Sequence, residues 1–251
     1  MMKIYKFFNK FFSNKSDFAS LTIVGVGPGD PSLLTIAALK VIKKAKVIAF
    51  PISNDDKKSF SAEIIKDHIK FKKKIPIIFP MARKAFNPDE IWSNAADEIV
   101  KYLKNNQSVV LLCLGDTSLF ASSSNILRII NNCYPEINIK TIPGISSLSA
   151  TAAISNFDLA KKGETLIIQE CPSSELELLD LMNLYKKKRI VLVLMKVGKR
   201  WHWVKDILKK EGLLVKSLLA LNVGMIDQYI DNASKYHHNK IPYFSLLLIR
   251  P

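Results

Sequence analysis

The chain has 251 residues, 48% of them hydrophobic, with 37 Lys and Arg against 22 Asp and Glu, for a formal charge of +15. This length and apolar content exclude a disordered chain and fit one large domain or two compact ones. The charge admits nucleic acid, anionic lipid or a polycarboxylate as partner but selects none of them, because an AT-rich codon bias toward lysine accounts for roughly half of the excess.

Cys113, Cys133 and Cys171 are scattered and odd in number, and the four histidines follow no ligand spacing. A disulfide framework and a metal site are therefore not expected, and a reducing cytoplasm is the expected setting. No apolar run reaches the ~20 residues of a transmembrane helix.

Residues 1–19 form an N-terminal extension with Phe7, Phe8, Phe11 and Phe12 among Lys3, Lys6, Lys10 and Lys15. It lacks the apolar core and small-residue cleavage site of a signal peptide; it could touch a membrane surface or a partner, but the preferred reading is a mobile extension before the first strand. Leu21–Val24 reads as a strand feeding the loop Gly25-Val26-Gly27-Pro28-Gly29-Asp30. Asp30 and Pro31 suit a helix start, and Leu34, Ala37, Ala38, Val41, Ile42 and Ala45 recur at helical spacing. A strand over 46–51 then implies a parallel pair with a right-handed crossover. A helix is expected over 61–69, a strand over 75–79, a helix over 87–104 and a buried strand over 108–114. The first half, 20–118, thus reads as an open α/β sheet with its loops at the strand carboxyl ends, where such sheets bind ligands.

The second half, 119–251, reads as a second mixed α/β domain. Its expected helices lie at 122–131, 147–155, 175–185 and 201–210. Its strands are expected at 138–142, 164–170, 189–195, 217–223 and 243–249.

Three strand-end loops carry the chemical signal. Gly25-Val26-Gly27-Pro28-Gly29-Asp30-Pro31 permits positive φ and close approach of a ligand to backbone. It is not a dinucleotide fingerprint: Asp30 stands where the third glycine belongs, and Phe50-Pro51 ends the second strand where a ribose-binding carboxylate is wanted. Leu114-Gly115-Asp116-Thr117-Ser118-Leu119 puts backbone groups and one carboxylate at the sheet edge. Pro143-Gly144-Ile145-Ser146-Ser147 adds small hydroxyl donors at a helix start.

In this order the three loops resemble the tetrapyrrole methylase family, from Leu21 to about Ile249. Within it, Leu33-Leu34-Thr35, Ala49-Phe50-Pro51, Ser146–Ala150, Met195–Arg200 and Tyr243–Leu246 resemble the precorrin-2 C20-methyltransferase branch. Two departures stand out. Thr117 follows Gly115-Asp116 where the family commonly has Pro, and Asn222–Tyr229 matches the branch only loosely.

The resemblance implies two α/β domains with a cofactor cleft between them, usually in a homodimer. It also implies S-adenosylmethionine as cofactor and a tetrapyrrole substrate, precorrin-2 or cobalt-precorrin-2, methylated at C20 in cobalamin biosynthesis. Carried over by motif, the cofactor contacts are Pro28, Leu114, Gly115, Asp116, Leu119, Ser146, Ser147, Met195 and Val223. Arg83, Lys84, Lys196, Lys199 and Arg200 are candidates to hold the substrate's carboxylate arms. Trp201 and Trp203 are open between lining that trough and packing in the core. Asp116 is cast as a cofactor ligand, and no general base is named.

Alternatives are a uroporphyrinogen III or later corrin methylase, a diphthine-forming enzyme, an rRNA ribose methylase, or a non-catalytic binding homologue. Nucleic acid is not expected as partner, because no basic stripe interleaves with aromatics that could stack bases.

Overall fold

A computed structural model describes residues 19–52, 58–79, 88–186 and 189–250. The expected substrate contacts Arg83 and Lys84, and all of the N-terminal extension except Ala19, lie outside the described residues. The chain divides into two compact units. One joins the described residues up to Gly25 with Thr35–Gly144, and the other joins Val26–Leu34 with the chain from Ile145 onward.

The first unit is a parallel sheet of β1 (Ser20–Gly25), β2 (Val47–Ile52), β3 (Lys73–Ile78), β4 (Val109–Cys113) and β5 (Asn138–Ile142). The order is β3-β2-β4-β1-β5, and every pairing is parallel. A central parallel strand is covered on both faces, which is why β4, Val-Val-Leu-Leu-Cys, is apolar and buried throughout. Leu21, Ile23, Val47, Ala49, Ile75, Ile77, Val109 and Leu111 face α4 (Pro88–Lys104) and α5 (Ser123–Cys133). Trp92, Ala96, Ile99, Ile126 and Ile130 fill that layer, and Phe79 meets Trp92 edge-on at 4.7 Å. α1 (Ile36–Lys44), α2 (Phe60–Ile64) and α3 (Lys66–Ile69) add buried Ala38, Ile42, Ile64, Ile65 and Ile69.

In the first unit and the segment that leads out of β1, three details depart from the sequence reading. Asp30 caps only a single 3-10 turn, Pro31–Leu33, and Thr35 caps α1, its hydroxyl accepting from the Ala38 N–H at 3.1 Å. The helix expected over 61–69 breaks at Ile65 into α2 and α3. Asn138–Ile142, grouped above with the second half, is the edge strand of the first sheet, paired with β1. That partner lies more than a hundred residues upstream, so no local pattern announces it.

The second unit holds β6 (Thr165–Glu170), β7 (Ile190–Met195), β8 (Ser217–Leu221), β9 (Tyr229–Asn232) and β10 (Ser245–Ile249) in the order β6-β7-β10-β8-β9. Only the β6–β7 pairing is parallel. Its core sets Leu192, Leu194, Leu219, Leu221 and Leu247 against α7 (Glu175–Lys186) and α8 (Trp201–Lys210). Trp201 is fully buried there and Trp203 packs against the same core, which settles the open choice for Trp201 in favour of packing. α6 (Ser147–Ile154) opens the unit after its short crossing segment, Val26–Leu34.

Candidate functional site

β1 lies between β4 and β5, so parallel pairing brings the carboxyl ends of all three strands together. Gly25 aligns with Cys113, and Val24 aligns with Ile142. The glycines that follow are in backbone contact. A Cβ on Gly25 would lie 2.5 Å from the Gly144 nitrogen and 2.8 Å from the Gly115 carbonyl oxygen. One on Gly144 would lie 2.2 Å from that same oxygen. Here glycine serves close approach of backbone to backbone, so these positions admit no side chain. Gly115 differs: its φ is +74°, and a Cβ there would meet open space.

Asp116 ties the same loops together. Its Oδ2 accepts from the Gly144 N–H at 3.1 Å, and its Oδ1 accepts from the Ser118 N–H at 2.8 Å and from the Ser118 hydroxyl. Partial burial pushes the carboxyl upward. The bonds from Ser118, Gly144 and Thr117 outweigh it and hold the group below its ordinary 3.8. A depressed carboxyl stabilises the fold above its unfolded pKa, and that contribution is lost as pH falls through the folded value. Asp116→Asn is therefore expected to lower the unfolding free energy by about 1.5 kcal/mol at neutral pH. Urea denaturation should show the gap between variant and parent closing only below about pH 4.

In the second unit, Pro28 is buried and Gly29 abuts the loop after β8. A Cβ on Gly29 would lie 2.6 Å from the Gly224 carbonyl carbon, and Gly224 itself has φ +78°. Gly224 follows Val223, and its N–H donates to the Gln228 side chain at 2.7 Å. This partner of Gly29 was missed in the sequence. The signal available was a lone glycine just past an apolar strand, within a segment noted mainly for its poor match.

Ser146 caps α6, its hydroxyl accepting from the Ser149 N–H at 3.1 Å, and Ser147 begins the helix. Met195 ends β7 opposite Glu170. Lys196 follows with φ 55°, a left-handed conformation that costs a non-glycine residue about 1 kcal/mol, and its ammonium pairs with Glu170. Arg200 donates to the carbonyls of Cys171 and Pro172, whereas Lys199 is exposed.

No activated thiol stands at these loops. Burial pushes both the Cys113 and Cys171 thiols up to about 11. Cys133 alone of the three is exposed, so iodoacetamide near neutral pH should alkylate it first, as peptide mass mapping would show.

Five parallel strands with three glycine-bearing turns at adjacent carboxyl ends, joined in sequence to a mixed five-stranded sheet, define an α/β protein of the ligand-binding open-sheet type. The family model for Tetrapyrrole (Corrin/Porphyrin) Methylases matches residues 20–233, and the chain belongs to that family. Among curated relatives, the "Probable cobalt-precorrin-2 C(20)-methyltransferase" of Methanocaldococcus jannaschii is 37% identical over 145 residues. That match takes in 58% of this chain and 61% of that protein. The cobalt-precorrin-2 C(20)-methyltransferase of Salmonella typhimurium is 25% identical over 91% of this chain and 95% of its own length. Among solved structures, uroporphyrin-III C-methyl transferase from Thermus thermophilus, complexed with S-adenyl homocysteine, superposes with a TM-score of 0.60 at 17% identity. The superposition covers 92% of this chain and 97% of that one.

Proposed function

We propose that this chain transfers a methyl group from S-adenosylmethionine to C20 of precorrin-2 or its cobalt-loaded form, in the assembly of the corrin ring of cobalamin. The observation that carries the reading is the glycine-built junction of Gly25, Gly115 and Gly144 at adjacent strand ends, in a chain of this family. Open space beside Gly115, at φ +74°, fits a ligand laid against backbone. The names of the Methanocaldococcus and Salmonella relatives support the choice of C20, and the ligand in the Thermus structure supports the choice of methyl donor.

The donor supplies an already activated methyl group, so the protein's task is alignment and exclusion of water. Pro28, Leu114, Gly115, Asp116, Leu119, Ser146, Ser147, Met195 and Val223 hold it, largely through backbone groups. With its acceptor positions taken up by Gly144, Ser118 and Thr117, Asp116 shapes the pocket and stays ionised; it is not the proton acceptor. Arg83, Lys84, Lys196, Lys199 and Arg200 receive the acetate and propionate arms. A homodimer and a cytoplasmic setting belong to the same proposal, and light scattering on the purified chain tests the dimer.

The test of function is incubation with labelled S-adenosylmethionine and each acceptor, read by mass spectrometry. A single added methyl located at C20 is the expected product. Methylation at another carbon, or donor binding with no methylation of either acceptor, would refute the proposal.

A further inference from the structure

The amino end of the first sheet is as distinctive as its carboxyl end. Leu21, Val109, Val47 and Lys73 fall in one row across the sheet and mark that end. α1 finishes on Lys43 and Lys44, with Lys46 just beyond, and the turn leading into β3 reads Lys70-Phe71-Lys72-Lys73-Lys74. The two groups are tied together: the half-buried Lys72 ammonium donates to the Lys43 carbonyl at 2.9 Å and to the Ala45 carbonyl at 2.7 Å. Lys43, Lys44, Lys46, Lys70, Lys73 and Lys74 are all exposed. Residues 36–46 and 68–78 contain no acidic residue. None of Lys43, Lys44, Lys46, Lys73 and Lys74 has a carboxylate partner among the described residues. Phe71 stands amid this charge at 94% exposure.

Favourable interaction with a helix dipole accounts for Lys43 and Lys44. It does not account for Lys73 and Lys74 at the start of a strand, nor for a phenylalanine left in water. An exposed apolar ring, with the Lys70 ammonium 5.6 Å from its centre and further lysines without carboxylate partners around it, is the composition that anionic bilayers attract, with the ring entering the headgroup layer and the ammonium groups facing acidic lipid. A nucleic-acid surface would instead favour arginine forks and a row of stacking aromatics. Residues 19–79 contain no arginine, and Phe71 has no aromatic neighbour in the turn. Ser20 begins β1 at this same end. Among the described residues no helix is long and apolar enough to cross a membrane, so the contact would be peripheral.

We propose that Phe71 and the lysines of the α1 end and the β3 turn form a docking surface for an anionic lipid bilayer, leaving the strand-end loops at the opposite end of the sheet facing away from it. The test is sedimentation of the full chain with vesicles of phosphatidylcholine alone, and with about a third phosphatidylglycerol. Binding is expected only to the anionic vesicles, and raising the salt should weaken it.

Each lysine removed should lower partitioning about fivefold, so K43Q/K44Q/K73Q/K74Q should lower it by about two to three orders of magnitude. The corresponding four-arginine variant should bind like the parent, which separates loss of charge from loss of fold. F71S should weaken binding about tenfold or more, at high as well as low salt. Equal binding to neutral vesicles, parental binding by the glutamine variant, or displacement from vesicles by a single-stranded oligonucleotide would each overturn the proposal. Methyl-donor binding, measured in parallel, should be unchanged in every variant, so a failure here is distinct from a failure of the proposed activity.

Discussion

Gly144→Ala is expected to lower the unfolding free energy by about 3 kcal/mol or more and to abolish binding of the methyl donor. The added methyl would lie 2.2 Å from the Gly115 carbonyl oxygen and 2.8 Å from the Gly25 Cα. Both obstacles are backbone, and both are fixed by the ladder in which β1 pairs with β4 and β5. Relief therefore requires β5 to separate from β1 at its carboxyl end. That movement would also break the bond from the Gly144 N–H to Asp116 and so release the β4 loop. Gly163→Ala is the control. Gly163 has φ +81° with nothing within 4 Å of a built Cβ, so its alanine variant carries only the left-handed penalty of about 1–2 kcal/mol. Urea denaturation gives the stabilities and calorimetry with S-adenosylmethionine gives the binding. A Gly144→Ala variant no less stable than Gly163→Ala, with parental affinity, would contradict this reading.

Trp201→Ala should cost about 3–5 kcal/mol, the range for emptying a buried aromatic site. Trp201 is fully buried at the start of α8, among side chains of the second sheet's core. Tyr236 meets it edge-on at 6.2 Å, and its Nε1–H donates to the His238 carbonyl at 2.9 Å. Trp201→Phe retains most of the packing and loses that bond, so its cost should be much smaller, about 1–2 kcal/mol. Because Lys199 and Arg200 immediately precede Trp201, the alanine variant should also weaken any hold that they have on an acidic substrate. Thermal unfolding followed by near-UV circular dichroism separates the two variants.

Much of the first unit is legible in the sequence because its signals are local. Continuous apolar runs at β2 and β4 mark buried parallel strands, and the glycine loops mark their carboxyl ends. What the sequence hides depends on partners distant along the chain. β5 is a modest Asn-Ile-Lys-Thr-Ile segment whose place is set by β1. β9, Tyr-Ile-Asp-Asn, is short and half-buried, has no clear alternation, and goes unrecognised without β8 beside it.

The site is legible at the level of loops and less so at the level of atoms. Gly25 reads as room for a ligand, whereas the structure gives that room to other backbone. Asp116 reads as a ligand group, and its bonds also brace the loop after β4 against the loop after β5. A hint of that role was available in Ser118 two residues on, the spacing of an Asx turn. Gly224 could not be matched to Gly29 from the sequence, since the two are brought together only by the fold.

The most direct test is a crystal structure of the chain with S-adenosylhomocysteine. The nucleoside is predicted to lie against the backbone of Leu114–Asp116, with the Asp116–Gly144 bond intact. A ligand bound elsewhere, or bound here only after that bond breaks and the carboxylate turns to meet it, would contradict the account.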